Sequence, residues 1–83
     1  MEKHNIIVLS TVHVTSKVMQ TLVKDSNIMQ SEYGVLLSYF TLSIYIKEPC
    51  ISAIANFANL HGCEFVMLDR DGLVEEALPT YEW

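Results

Sequence analysis

The segment LSTVHVT, residues 9–15, groups hydroxyl side chains around a histidine. Ser10, Thr11 and His13 fall where an apolar strand pattern gives way to a helix pattern, and the N-terminus of a helix accepts anions. His13 could serve as a general base for a neighbouring hydroxyl. No third group in the sequence orients the ring, so we favour a structural histidine that bonds to nearby backbone. The same three residues are our candidate ligand niche.

The segment FVMLDRDGLVEE places two carboxylates, Asp69 and Asp71, directly after an apolar run. It resembles the first motif of haloacid-dehalogenase-type phosphatases, in which one Asp is the nucleophile and a second Asp acts as acid and base near Mg²⁺. Those enzymes need a doubly wound sheet after the motif to supply a lysine and further acidic ligands. The residues that follow Asp71 cannot form one. We therefore expect an Asp-rich turn in which Gly72 accepts a positive φ, and no catalysis.

Other chemical signatures are absent from the sequence. It has no phosphate loop, GxGxxG, HExxH or nucleophile elbow. Cys50 and Cys63 form no CxxC, and the three histidines are scattered, so we expect no metal and no cofactor. Two cysteines without a signal peptide predict reduced core thiols and a cytoplasmic protein. No apolar run reaches about 18 residues, which predicts that no segment spans a membrane.

The hydrophobic pattern predicts the elements that position these residues. The chain has 83 residues, of which 51% are hydrophobic, and is predicted to form one domain over 1–83. The predicted order begins with a buried strand at 5–12, a helix capped by Thr15 or Ser16 and ending near Asp25, and a linker over 28–32.

The second half of the pattern begins with fourteen uncharged residues, 33–46, rich in aromatic and β-branched side chains. That composition predicts one bent strand or two strands joined by a turn near 38–41. A helix opened by Pro49 and stopped by Gly62 follows. Residues 63–68 are predicted to be a buried strand, and 73–78 a short strand or a helical turn.

This order, β-α-β(β)-α-β, predicts an α+β fold. A three- or four-stranded sheet with two helices packed on one face is the simplest arrangement that buries the apolar stripes. The other face of the sheet would then carry half-apolar residues such as Tyr39 and Tyr45. An exposed apolar surface of that kind indicates a partner.

Charge is concentrated at one end of the sequence. Residues 64–83 contain six acidic residues and one basic residue, whereas residues 1–63 contain four of each. The net charge of −5 argues against direct binding to nucleic acid. The acidic edge is either a solvated surface or a surface that docks on a basic protein groove. The predicted contact residues are Asp69, Asp71, Glu75, Glu76, Tyr81 and Trp83.

Two segments together carry a resemblance that spans nearly the whole chain. LSTVHVT and LDRDGLVEEALPTYEW resemble a family of short bacterial proteins that open with LSTxHxT and close with DGxxxxxLPxYxW. The resemblance implies an origin on plasmids, prophages or genomic islands and supplies no activity, because the family is a domain of unknown function. A weaker similarity links the opening LST and His13 to a small anti-CRISPR inhibitor of the type I-F surveillance complex.

These observations lead to three functional hypotheses. The first is a non-enzymatic phage or mobile-element protein that inhibits a host defence complex by stoichiometric binding. The second is a small dimeric ligand-binding or regulatory domain that uses the niche at Ser10, Thr11 and His13. A homodimer is compatible with both. The third, an enzyme acting through Asp69 and Asp71, is the one we do not expect.

Overall fold

A four-stranded sheet with helices against it forms the protein. The computed structural model describes residues 5–83. The strands are β1 (Ile6–Ser10), β2 (Met29–Ser31), β3 (Gly34–Ser38) and β4 (Phe65–Asp69). The α-helices are α1 (Ser16–Lys24), α2 (Tyr39–Ile44) and α3 (Pro49–Leu60), and a 3-10 turn spans Thr11–His13. The predicted α+β class is therefore confirmed.

The sheet is mixed. Its strand order is β1-β4-β3-β2, with β1 parallel to β4 and the other two pairs antiparallel. Because a tight turn cannot join parallel strands, this pair needs a long connection. It contains the three α-helices and also strands β2 and β3. The carboxyl ends of β1 and β4, at Ser10 and Asp69, lie side by side.

The core lies between one face of the sheet and the helices. Strand residues alternate between the two faces, so every second side chain points into the core. The buried strand side chains are Leu9, Val35, Leu37, Val66 and Leu68, and those of α1 and α3 include Val18, Leu22, Ile51, Ile54 and Ala58. None of the described helices has both the length and the apolar content needed to cross a lipid bilayer.

Local signals set the ends of the two longer helices as predicted. The Thr15 side chain caps α1 by accepting the Val18 N–H at 3.1 Å. Pro49 is the first residue of α3, where its missing N–H costs nothing. Gly62 follows the end of α3 with φ of 65°, a conformation that a glycine adopts without strain.

The prediction for residues 33–46 is wrong in its second half. Strand β3 ends at Ser38, and the aromatic residues that follow form helix α2. Ser38 caps that helix because its side chain accepts the Thr41 N–H at 3.2 Å. Tyr39 and Tyr45 consequently do not lie on the sheet face where we expected them. The predicted linker at 28–32 also differs, since it contains the short strand β2.

The segment after β4 is irregular rather than a strand or helix. Only Leu73 forms a bridge, to Leu9 on the outer side of β1. The predicted positive φ at Gly72 is wrong, because Gly62 has the one positive φ found among residues 5–83. Gly72 instead lies so close to β1 that a Cβ atom would be 2.7 Å from the Leu9 carbonyl oxygen.

Candidate functional site

The two sequence segments that carry the family resemblance meet in space at His13. Its ring is 1% exposed and bonds with both nitrogens to the irregular tail, residues 73–83. Nδ1 donates to the Pro79 carbonyl oxygen at 2.8 Å, and Nε2 accepts the Glu75 N–H at 2.8 Å. Since a backbone N–H can only donate, Nε2 must be unprotonated and the proton lies on Nδ1. His13 therefore fastens the tail.

Three further hydrogen bonds continue this attachment. The Ser10 N–H donates to the Leu73 carbonyl at 2.8 Å, and the Tyr81 N–H donates to the Val12 carbonyl at 2.8 Å. The Trp83 indole N–H donates to the Val14 carbonyl at 3.1 Å. The tail thus runs along residues 10–14, and the buried Leu78 side chain anchors it in the core.

The predicted ligand niche is divided by this arrangement. Ser10 is 3% exposed, and its hydroxyl accepts the Val12 N–H at 3.2 Å. Both ring nitrogens of His13 are hydrogen-bonded to the tail, so neither is free to bind a ligand. Thr11 alone of the three lines an open cavity, which also reaches Trp83. The sequence predicted that His13 is a structural histidine. It did not predict the partners of the ring, because they lie 62 and 66 residues away along the chain.

Of the six predicted contact residues of the acidic edge, Asp69 ends β4, Asp71 follows it, and the other four lie along the tail: Glu75, Glu76, Tyr81 and Trp83. Asp69 Oδ1 accepts the Asp71 N–H at 2.8 Å, which makes the expected Asp turn. Tyr81 is half-buried against the core, and the side chain of Trp83 is 63% exposed although its N–H is bonded. The carboxylates of Asp71 and Glu76 extend from exposed residues.

The face of the sheet opposite the core is apolar and uncovered by the described helices. The register aligns Val8 with Met67, Met67 with Leu36, and Leu36 with Met29. These four side chains form a row across all four strands, which we call the open face, and Ile6 lies next to the row on β1. Met29 is 70% exposed, Ile6 52% and Val8 43%. Sequence reasoning expected this surface but assigned it to the wrong residues.

A shallow cavity of about 160 Å³ lies at one end of the open face. Met29 and Leu36 form its apolar side, and Ser38, Thr41 and Asn27 supply polar groups. Helix α2 begins directly after β3, and its Thr41 is one of the lining residues.

A hydrogen bond between Tyr45 and Asp25 joins the end of α2 to the end of α1. The Tyr45 hydroxyl donates to Asp25 Oδ2 at 2.5 Å, and the Asn27 N–H donates to Oδ1 at 2.9 Å. The Tyr45 bond, and after it the Asn27 bond, lowers the pKa of Asp25 below its ordinary value. The same contact raises the pKa of Tyr45.

The remaining polar side chains of the described residues form no further candidate site. Within residues 5–83, no cluster of three or more His, Cys, Asp or Glu side chains could hold a metal ion. In that same part of the chain, every buried side-chain nitrogen and oxygen has a hydrogen-bond partner. Cys50 and Cys63 are free thiols.

These features define a small α+β domain with a four-stranded mixed sheet, helices on one face and an apolar opposite face. The chain matches, over residues 6–83, the family described as "Family of unknown function (DUF5983) C-terminal domain". It belongs to that family. No curated protein and no solved structure matches the chain.

Proposed function

We propose that this domain is a non-enzymatic protein of phage or mobile-element origin that inhibits a host defence complex, of the anti-CRISPR or anti-restriction type, by stoichiometric binding in the bacterial cytoplasm. The open face is the observation that supports binding. It places an apolar row across a whole sheet of a 9.4 kDa protein, where such surfaces mark interaction sites. The class of partner comes from the resemblance of the first strand and turn to a type I-F inhibitor.

The bonding of the polar residues also favours binding over catalysis. A general base needs a free nitrogen within reach of its substrate, and both ring nitrogens of His13 bond to the tail. Asp69 uses one carboxylate oxygen to close its own turn. These residues stabilise the fold that presents the open face.

The charge distribution indicates what kind of protein surface would fit. Asp69 shares the side of the sheet that carries Val8 and Met67, because side chains two apart on a strand lie on one face. The acidic tail continues from that end. A partner with an apolar patch flanked by lysines or arginines would therefore match the domain in both shape and charge.

The test uses the purified type I-F surveillance complex and the full chain. We expect a one-to-one complex by calorimetry and loss of target-DNA binding. Met29→Lys places a charge on the open face and should weaken binding at least about tenfold, since buried charges are costly in an interface core. Leu60→Lys is the matched control, because Leu60 is 82% exposed on α3 and lies outside the open face.

The acidic edge is tested separately by Glu75→Lys with Glu76→Lys. If it steers association, the double variant should bind more slowly and should lose salt dependence. Unchanged kinetics would remove these carboxylates from the interface. If neither the surveillance complex nor a panel of restriction enzymes binds the chain, the anti-defence function is overturned.

A second copy is the competing occupant of the open face. Sedimentation of the free chain as a dimer that Met29→Lys dissociates, together with no defence partner, would assign this surface to self-association. That outcome would contradict the inhibitor proposal and favour the small dimeric domain.

A further inference from the structure

A cavity of about 270 Å³ opens at the carboxyl ends of the two parallel strands. Thr11, which follows β1, and Arg70, which follows β4, both line it. The rest of the lining comes from α1, from residues 30–34 around the turn between β2 and β3, and from Trp83. The cavity lies beside α1, on the helix side of the sheet, and is separate from the open face.

The lining combines an apolar side with two opposite charges. Met19, Val23 and Trp83 supply the apolar surface. The charged residues are Glu32 and Arg70, both exposed. Within residues 5–83 neither the Glu32 carboxylate nor the Arg70 guanidinium forms a hydrogen bond or an ion pair. The lining thus includes one residue with a cationic side chain and one with an anionic side chain, and neither side chain is paired within the described residues.

Hydrogen bonds hold the walls of the cavity in place. The Trp83 indole is fixed by its bond to the Val14 carbonyl. The Gln30 side chain donates to the Val23 carbonyl and so joins β2 to α1. The Arg70 N–H donates to the Tyr33 carbonyl at 3.4 Å. These bonds hold the indole and the backbone around the cavity, whereas the Glu32 and Arg70 side chains would become ordered when the ligand binds.

We propose that this cavity binds a small zwitterion with an apolar side chain, of the free amino acid type. Its carboxylate pairs with Arg70, its ammonium group pairs with Glu32, and its side chain packs on Met19, Val23 and Trp83. The volume is just below the range of about 300–1,000 Å³ that holds drug-sized ligands, so the ligand is smaller than these. A guanidinium presents a planar donor pair that matches a carboxylate.

The test uses Trp83 as the reporter, since it is the one tryptophan in the sequence. L-leucine, which is transparent where tryptophan absorbs, should change the Trp83 emission saturably and should raise the melting temperature. L-leucinamide lacks the carboxylate and N-acetyl-L-leucine lacks the ammonium group. Each should bind at least about fivefold more weakly than L-leucine, because one charge-assisted contact is lost.

Two variants test which residue pairs with which charged group of the ligand. Arg70→Gln should abolish the difference between L-leucine and L-leucinamide. Glu32→Gln should abolish the difference between L-leucine and N-acetyl-L-leucine. Lys47→Gln removes an exposed cation outside the cavity and should leave all three affinities unchanged.

Several outcomes would overturn the proposal. The first is that L-leucine gives no saturable response up to about 50 mM, well beyond a millimolar Kd, in either fluorescence or melting. The second is that the three compounds bind with equal affinity. The third is that neither variant changes the relative affinities of the three compounds. All of these measurements use the isolated chain, so they are independent of whether a defence complex binds the open face.

Discussion

At the scale of single residues, His13 is the group on which the tail depends most. It is buried and makes two hydrogen bonds to backbone atoms 62 and 66 residues away. We expect His13→Ala to lower the free energy of unfolding by about 2–4 kcal/mol, because two bonds are lost and a buried donor and acceptor are left without partners. Urea unfolding measures the loss.

The control for this change is His61→Ala, at an exposed position that ends α3. It should cost less than His13→Ala. The emission of Trp83 should shift to longer wavelength in His13→Ala only, since that indole lies on the tail. Equal stabilities of the two variants would contradict the role that we assign to His13.

The bond between Tyr45 and Asp25 predicts a pH dependence of stability. The pKa of Asp25 is lower in the folded state than in the unfolded state. Its contribution to stability is therefore present above the unfolded pKa of about 3.9 and is lost as pH falls through the folded pKa. The pKa of Tyr45 is raised, so its contribution is present below about 10 and is lost as pH rises through the folded value.

Tyr45→Phe removes the bond and therefore should destabilise the protein most between these two limits. The difference in unfolding free energy from the unmodified chain should shrink at acid and at strongly alkaline pH. Tyr39→Phe is the matched control, because Tyr39 is 57% exposed and its hydroxyl forms no hydrogen bond among residues 5–83. A difference that does not vary with pH would show that the bond is not the cause.

At the scale of elements, the pairing of β3 with β4 depends on the absence of a side chain at Gly34. A Cβ atom there would lie 1.7 Å from the Leu68 carbonyl oxygen, which is backbone of a central strand and cannot move aside. We expect Gly34→Ala to prevent the native sheet from forming, as seen by loss of the cooperative urea transition.

Gly62→Ala is the appropriate comparison, since a Cβ atom at Gly62 meets nothing within 4 Å. Its cost should be only about 1–2 kcal/mol, from the positive φ. A stable, cooperatively folding Gly34→Ala would show that the two strands can separate at this point.

The elements differ in how far the sequence predicts them, and the reason is the range of the interactions that form them. Thr15, Pro49 and Gly62 mark helix ends through bonds and dihedral angles within a few residues, so local patterns were sufficient. Helix α2 was missed because its aromatic and β-branched composition favours a strand. Capping by Ser38 and burial of Leu42 outweigh that preference.

The site was harder to predict than the fold for the same reason. The sequence indicated that His13 is structural and that one sheet face is exposed, because both follow from local pattern. It did not indicate that Pro79 and Glu75 bond to His13, or that Glu32 and Arg70 share a cavity with Trp83. Those contacts depend on the strand order, which periodicity does not contain.

At the scale of the whole molecule, the tail is expected to contribute to global stability rather than only to its own order. Ending the chain after Leu78 removes the partners of Val12 and Val14 and one partner of His13. We expect a loss of about 2 kcal/mol, which lowers Tm by about 8–16 °C for a domain of this size. Calorimetry measures the shift.

Glu82→Gln leaves every one of these bonds in place and serves as the control, with a change in Tm within about 3 °C. If the shortened chain and the full chain have the same Tm, the tail does not contribute to global stability. In that case, His13→Ala should also be milder than we predict.

The parallel pairing of β1 with β4 also bears on how the protein is made. During synthesis, β1 emerges before the other described strands but can pair with β4 only after the three helices and β4 have followed. Loop closure over such a distance precedes any stabilising contact, so folding is slow relative to that of a helical protein of equal length. Until then the apolar strand β1 stays exposed. Neighbouring nascent chains on the same mRNA would be most prone to aggregate during this interval.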